Sequence, residues 1–188
     1  MVKYNYFETL ELLSDCVVTA VGAACGEATV DGKAISELRK SCDKRICELE
    51  DALFSDFLPP LERDNIAACA HALSRVVDQA IELIGNTEGR SAGCKANEEG
   101  AVCVRLSREL QASIALLRRI RKPDEIPDIQ GYRALLREGR DAHNTMLRKL
   151  HTGMLPRSAA QGIILTGRLR AELSHSFDEL VEVMLGNI

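Results

Sequence analysis

Apolar residues recur at spacings of three and four along almost the whole chain, the period that turns one face of an α-helix towards a core. Phe7, Leu10, Leu13, Val17, Ala20, Val21 and Ala24 form a first stripe, and Ile35, Leu38, Cys42, Ile46, Leu49, Leu53 and Phe57 a second. Ile66, Cys69, Leu73, Val76, Val77, Ala80 and Ile84 form a third, and Cys103, Leu106, Leu110, Ile114, Leu117 and Ile120 a fourth. Tyr132, Leu135, Leu136, Ala142, Met146 and Leu150 make the fifth, and Leu165, Leu169, Leu173, Phe177, Leu180 and Met184 the sixth. No strand-like alternation of useful length interrupts them. The pattern predicts six long helices of about 20 to 30 residues, each on the order of 30–45 Å in length.

The breaks between stripes carry turn chemistry. Asp31-Gly32 separates the first two helices, and Pro59-Pro60 stops the second, because proline lacks a backbone donor and clashes with the preceding turn. Asn86 to Gly100, rich in Gly, Ser, Asn and charge, reads as the longest loop. Pro123 and Pro127 frame a turn before the fifth helix, and Gly153 and Pro156 separate the fifth from the sixth. Short connections make successive helices antiparallel, so the expected fold is an all-α bundle.

The chain also repeats itself. Leu38-Arg39…Asp43 and Leu136-Arg137…Asp141 both read L-R-x-x-x-D, 98 residues apart. The turns Phe57-Leu58-Pro59 and Met154-Leu155-Pro156 follow at an offset of 97. Leu73-Ser74…Asp78…Glu82 and Leu173-Ser174…Asp178…Glu182 both read L-S-x-x-x-D-x-x-x-E, at an offset of 100. Matches in the same order, at offsets near half of 188, predict two pseudo-symmetric three-helix units in a single helical domain, about 1–92 and 95–188.

Composition narrows the class. Aromatics are 4% of the chain and tryptophan is absent, which disfavours sheet packing. With 24 Lys and Arg against 28 Asp and Glu, the net charge is −4, arguing against a nucleic-acid protein held by a strongly basic surface. The longest uncharged run, Cys16 to Gly26, is far short of the roughly 20 residues of a membrane span. Glu8, Glu11 and Asp15 do not suit a signal peptide, so a cytoplasmic protein is expected. The seven cysteines, Cys16, Cys25, Cys42, Cys47, Cys69, Cys94 and Cys103, contain no C-x-x-C pair and mostly fall at apolar helical positions. They read as buried, reduced thiols, with Cys94 the one expected to be exposed.

The repeated acids are the candidate chemistry. Residues i and i+4 share a helix face, so Asp78 with Glu82 and Asp178 with Glu182 place paired carboxylates on corresponding faces of the two units. Such pairs can hold a divalent ion such as iron, zinc or manganese, and the same spacing also suits a solvated face. Arg39 and Asp43, and Arg137 and Asp141, have the spacing of intrahelical ion pairs. The four histidines, His71, His143, His151 and His175, do not supply the repeated Glu-x-x-His pairs of a ferritin-like oxidase. No nucleophile motif, glycine-rich dinucleotide fingerprint or P-loop occurs, so no catalytic residue is assigned and a non-enzyme is expected.

The segment Phe57 to Ile66, with Leu73 and Asp78 downstream, resembles the PhoU-like family, in the branch that accompanies Pit-type phosphate transporters. Members of that family read F-[IT]-x-P-x-D-R-E-D-I here, and Phe57, Pro60, Arg63 and Ile66 match directly. Glu62 stands for the usual Asp, Asp64 for the usual Glu and Asn65 for the second Asp. The resemblance implies an elongated bundle of two related three-helix units. It implies a non-enzymatic accessory or regulatory role in phosphate transport, by docking helical faces to a transporter or phosphate sensor at the cytoplasmic face of the membrane, with a homodimer as the expected assembly. The alternative is a carboxylate-based metal-binding bundle for storage or sensing. The family's metal motif is [ED]-x-x-x-D on corresponding helices. Asp43, Asp78, Asp141 and Asp178 keep the second acid, but Arg39, Ser74, Arg137 and Ser174 replace the first. If a metal binds, Glu82 and Glu182 must supply the missing oxygens from one turn further on.

Overall fold

Six helices make up the computed structural model, which describes residues 4–56, 59, 62–87, 98–120 and 128–186. They are α1 (Tyr6–Ala24), α2 (Gly32–Ser55), α3 (Arg63–Thr87), α4 (Glu98–Leu116), α5 (Ile129–His151) and α6 (Ala160–Leu185). A short 3-10 turn, Arg157–Ala159, precedes α6. No strand occurs among the described residues.

Local chemistry sets the helix ends. The Asn5 side chain accepts from the Glu8 N–H and donates to the Glu8 carboxylate, satisfying the start of α1. The first turn lies earlier than expected, at Gly26, whose φ of 85° suits a residue without a Cβ. Asp31-Gly32 instead opens α2, because Asp31 accepts from the Ala34 N–H at 2.7 Å and Gly32 is already helical. Asp128 caps α5 in the same way through Gly131 N–H, and Gly153, with φ 74°, ends the turn after it. α3 runs on to Thr87 and α4 starts at Glu98, so the expected long loop gives up both its ends to helices. Phe57, Leu58, Pro60, Cys94, Pro123 and Pro127 lie outside the described residues.

The centre of the bundle is built from α1, α3, α4 and α6. α1 packs against α3 and α4, and α6 packs against the same two, with α3 on α6 the most extensive pairing. α2 lies outside this centre on α1 and α3, and α5 lies outside it on α4 and α6. This arrangement explains the burial of the stripes. The third, fourth and sixth stripes are buried throughout, from Ile66 to Ile84, Cys103 to Ile120 and Leu165 to Met184. Ile35, Leu38 and Ile46 on α2, and Leu135 and Leu136 on α5, are only partly buried, because an outer helix has neighbours on one side alone. One continuous apolar core draws on all six helices, so the two halves share their interior. Tyr132 of α5 stacks on Phe177 of α6 with ring centroids 3.6 Å apart, and its hydroxyl donates to the Leu173 carbonyl at 3.0 Å.

Candidate functional site

The faces that carry the repeated acids meet between α2 and α3. Arg39 reaches across to α3 rather than along its own helix, and its Nη1 lies 2.8 Å from Asp78 Oδ1. Asp43 is exposed one turn further along α2. Burial raises the carboxyl of Asp78 above its ordinary range, Arg39 opposes this, and the nearby Asp43 adds to it. Cys42, on the same stretch of α2, is buried, and the Ser74 hydroxyl partly offsets the effect of that burial on its thiol. Burial pushes its thiol up to about 11. Glu82, exposed, accepts from the Gln79 amide at 2.9 Å.

The second unit does not copy this arrangement. Arg137, Asp141, Asp178 and Glu182 are all exposed, and among the described residues none of them enters an ion pair. The charge is buried elsewhere. Glu99, in the first turn of α4, has no exposed surface. Its Oε1 accepts from Arg170 Nε of α6 at 3.1 Å, and its Oε2 lies 2.9 Å from His143 Nδ1 of α5. A carboxylate can only accept, which assigns the proton of that contact to Nδ1. Glu99 thus ties the outer helix α5 and the central helix α6 to the start of α4.

Two glycines make room for this cluster. A Cβ on Gly139 would stand 2.7 Å from Arg170 Cδ, and one on Gly167 would stand 2.6 Å from His143 Cε1. Periodicity alone does not reveal the cluster, because Glu99 falls within the stretch expected to be a loop and its partners are 44 and 71 residues away. The available signal was the pair of glycines inside helical stripes, which mark close approach of neighbouring elements. The other histidine contacts are plainer. His71 lies 3.0 Å from Glu50 across α2 and α3, and His175 lies 3.7 Å from Glu179 one turn along α6. Glu172 stands three residues before His175, the one Glu-x-x-His spacing in the chain, yet it binds Arg75 of α3 at 3.3 Å.

The metal implied by the family fits these residues poorly. A guanidinium already occupies the Asp78 oxygen that would face a cation, and a second positive charge beside it is repelled. Among the described residues no three His, Cys, Asp or Glu side chains converge as a ligand set. The thiols divide by position: Cys16, Cys42, Cys69 and Cys103 are buried, Cys25 is partly buried and Cys47 is exposed, which corrects the expectation for Cys47. Burial pushes Cys25 and Cys69 up to about 12. No helix among the described residues is long and apolar enough to cross a membrane.

No family model matches the chain, and no curated protein matches it by sequence. Solved structures do match by shape. A PhoU-like protein from Shewanella oneidensis MR-1 superposes with a TM-score of 0.72 at 17% identity, covering 97% of each chain. A second chain from the same organism, described as a candidate PhoU-like phosphate regulatory protein, gives 0.69 at 17% identity, over 97% of this chain and 96% of that one. The backbone therefore superposes along nearly its whole length, and this chain has the PhoU-like fold.

Proposed function

We propose that the protein is a non-enzymatic regulatory or accessory component of phosphate transport, acting by docking its outer helical faces to a transporter or a phosphate sensor. The observation that carries this reading is the likeness to PhoU-like proteins across 97% of the chain, one of them described in terms of phosphate regulation. The Phe57 to Ile66 turn motif supports it independently. The Arg39–Asp78 pair favours a version of the fold in which a guanidinium neutralises the acid of the α2–α3 face, so no step of the proposal runs through a metal cluster.

The test is phosphate uptake in cells lacking this chain, with and without its restoration, under phosphate-limited and phosphate-replete growth. The expected result is altered uptake or an altered starvation response, reversed by the restored chain. Identical uptake and identical starvation response in both strains under both conditions would remove the proposal.

A further inference from the structure

α5 differs in charge from the rest of the molecule. It carries Arg133, Arg137, Arg140, Arg148 and Lys149 against Glu138 and Asp141, in a chain whose net charge is −4. At 100° per residue, Arg133, Arg137, Arg140, Asn144, Arg148 and His151 fall within a sector of about 80°, a straight stripe about 27 Å long. All six are exposed. The opposite face of α5 holds Tyr132, Gly139 and Ala142 against the bundle, so the stripe looks outward. Asp141 lies at its edge, and Glu138 is turned away to Arg105 at 2.7 Å.

The stripe is also uncommitted. Arg39, Arg75, Arg105, Arg108, Arg118 and Arg170 are each held by a carboxylate. Among the described residues no carboxylate lies within ion-pair distance of Arg133, Arg137 or Arg140, and Arg148 donates only to the Thr145 hydroxyl. α1 is the reverse case, with Glu8, Glu11 and Asp15 and no basic residue, and it packs on α2, α3 and α4 rather than on α5. Two of those acids are committed, Glu11 to Arg118 at 3.0 Å and Asp15 to Gln111 at 2.7 Å, whereas the arginines of the α5 stripe are not held by acids among the described residues.

We infer that the α5 stripe docks the protein onto an anionic lipid surface. A row of arginines on an outer helix face meets a plane of headgroups along its whole length, and mobile headgroups adjust to any spacing of the cations. Complementarity to a folded protein would instead require fixed acids at matching intervals. Met154, three residues beyond the end of α5, is 76% exposed and offers an apolar side chain in the chain segment that follows the stripe. Attraction to an acidic leaflet acts through each cation near the surface and is screened by salt. The inference stands independently of the phosphate role.

Co-sedimentation of the full chain with vesicles of phosphatidylcholine, with or without phosphatidylglycerol, tests it. The chain should bind the phosphatidylglycerol vesicles, release at high salt, and ignore phosphatidylcholine alone. Arg137→Gln with Arg140→Gln should lower the partition coefficient about 30-fold, taking roughly fivefold per cation. Lys33→Gln with Lys44→Gln on α2 removes the same charge and should have a much smaller effect. Arg133→Gln with Arg148→Gln repeats the test at the ends of the stripe should the first pair perturb folding, checked by circular dichroism. Failure to bind anionic vesicles, or equal loss in the α2 control, would overturn the inference; recruitment by an acidic protein in that case would assign the stripe to a protein partner.

Discussion

Arg170→Met removes one of the two partners of a carboxylate that has no exposed surface, while keeping most of the apolar stem that packs beside Gly139. Arg170 is itself 18% exposed, so the pair lies largely out of water. Leaving a buried charge without its partner costs roughly 3–5 kcal/mol. His143 still holds the other oxygen, which places the expected loss at the lower end, about 3 kcal/mol. For a chain of this length, that corresponds to a fall in Tm of roughly 6–12 °C. Urea unfolding at neutral pH, followed by circular dichroism, measures it. The double variant Glu99→Gln with Arg170→Met should be more stable than Arg170→Met alone, because the neutral amide can still bond His143 and no longer needs a counter-charge. A single-variant loss below about 1 kcal/mol, in the range of a surface pair, would refute the account, and so would a double variant in which the two losses simply add.

Gly167→Ala should destabilise the protein because its Cβ would meet the His143 ring at 2.6 Å, whereas Gly85→Ala, with nothing within 4 Å, should stabilise it by roughly 0.5–1 kcal/mol; thermal melts of the two variants should move in opposite directions. Leu73→Ala empties a fully buried site between helices and should cost about 2–5 kcal/mol in denaturant unfolding, and a loss near zero would contradict that packing. The raised carboxyl of Asp78 means that the folded chain holds this proton more tightly than the unfolded one, so its contribution is present at low pH and is lost as pH rises through the folded value, above 3.8. Asp78→Asn should therefore gain stability relative to the parent between about pH 3 and pH 7, and a parallel pair of stability curves would argue against the assignment. Thiol labelling of the native protein should modify Cys47 rapidly and leave Cys69 and Cys103 unreacted until unfolding, since burial holds both thiols protonated; Cys47→Ser should remove one fast equivalent.

The local content of the chain was legible without coordinates. A period of three to four apolar residues admits a helix and little else, so the helix count and the buried faces of the third, fourth and sixth stripes follow from spacing alone. The duplicated L-R-x-x-x-D and L-S-x-x-x-D-x-x-x-E segments are equally legible in the sequence, but their acids do not take matching partners: Asp78 meets Arg39, whereas Asp141, Asp178 and Glu182 enter no ion pair among the described residues. Spacing along one helix cannot say what a side chain meets on the next. Spacing pairs Arg39 with Asp43, four residues on, and the packing of α2 on α3 gives it to Asp78 instead. That same packing made the second and fifth stripes half-buried, because it put α2 and α5 outside a centre made by the other four. The Glu99–His143–Arg170 cluster belongs wholly to tertiary structure. Its members come from α4, α5 and α6, and a buried carboxylate can be stabilised only where the fold brings donors to it. The basic stripe of α5 required both sources: its periodicity is written in the sequence, but packing decided that this face would turn outward and leave its arginines without acids.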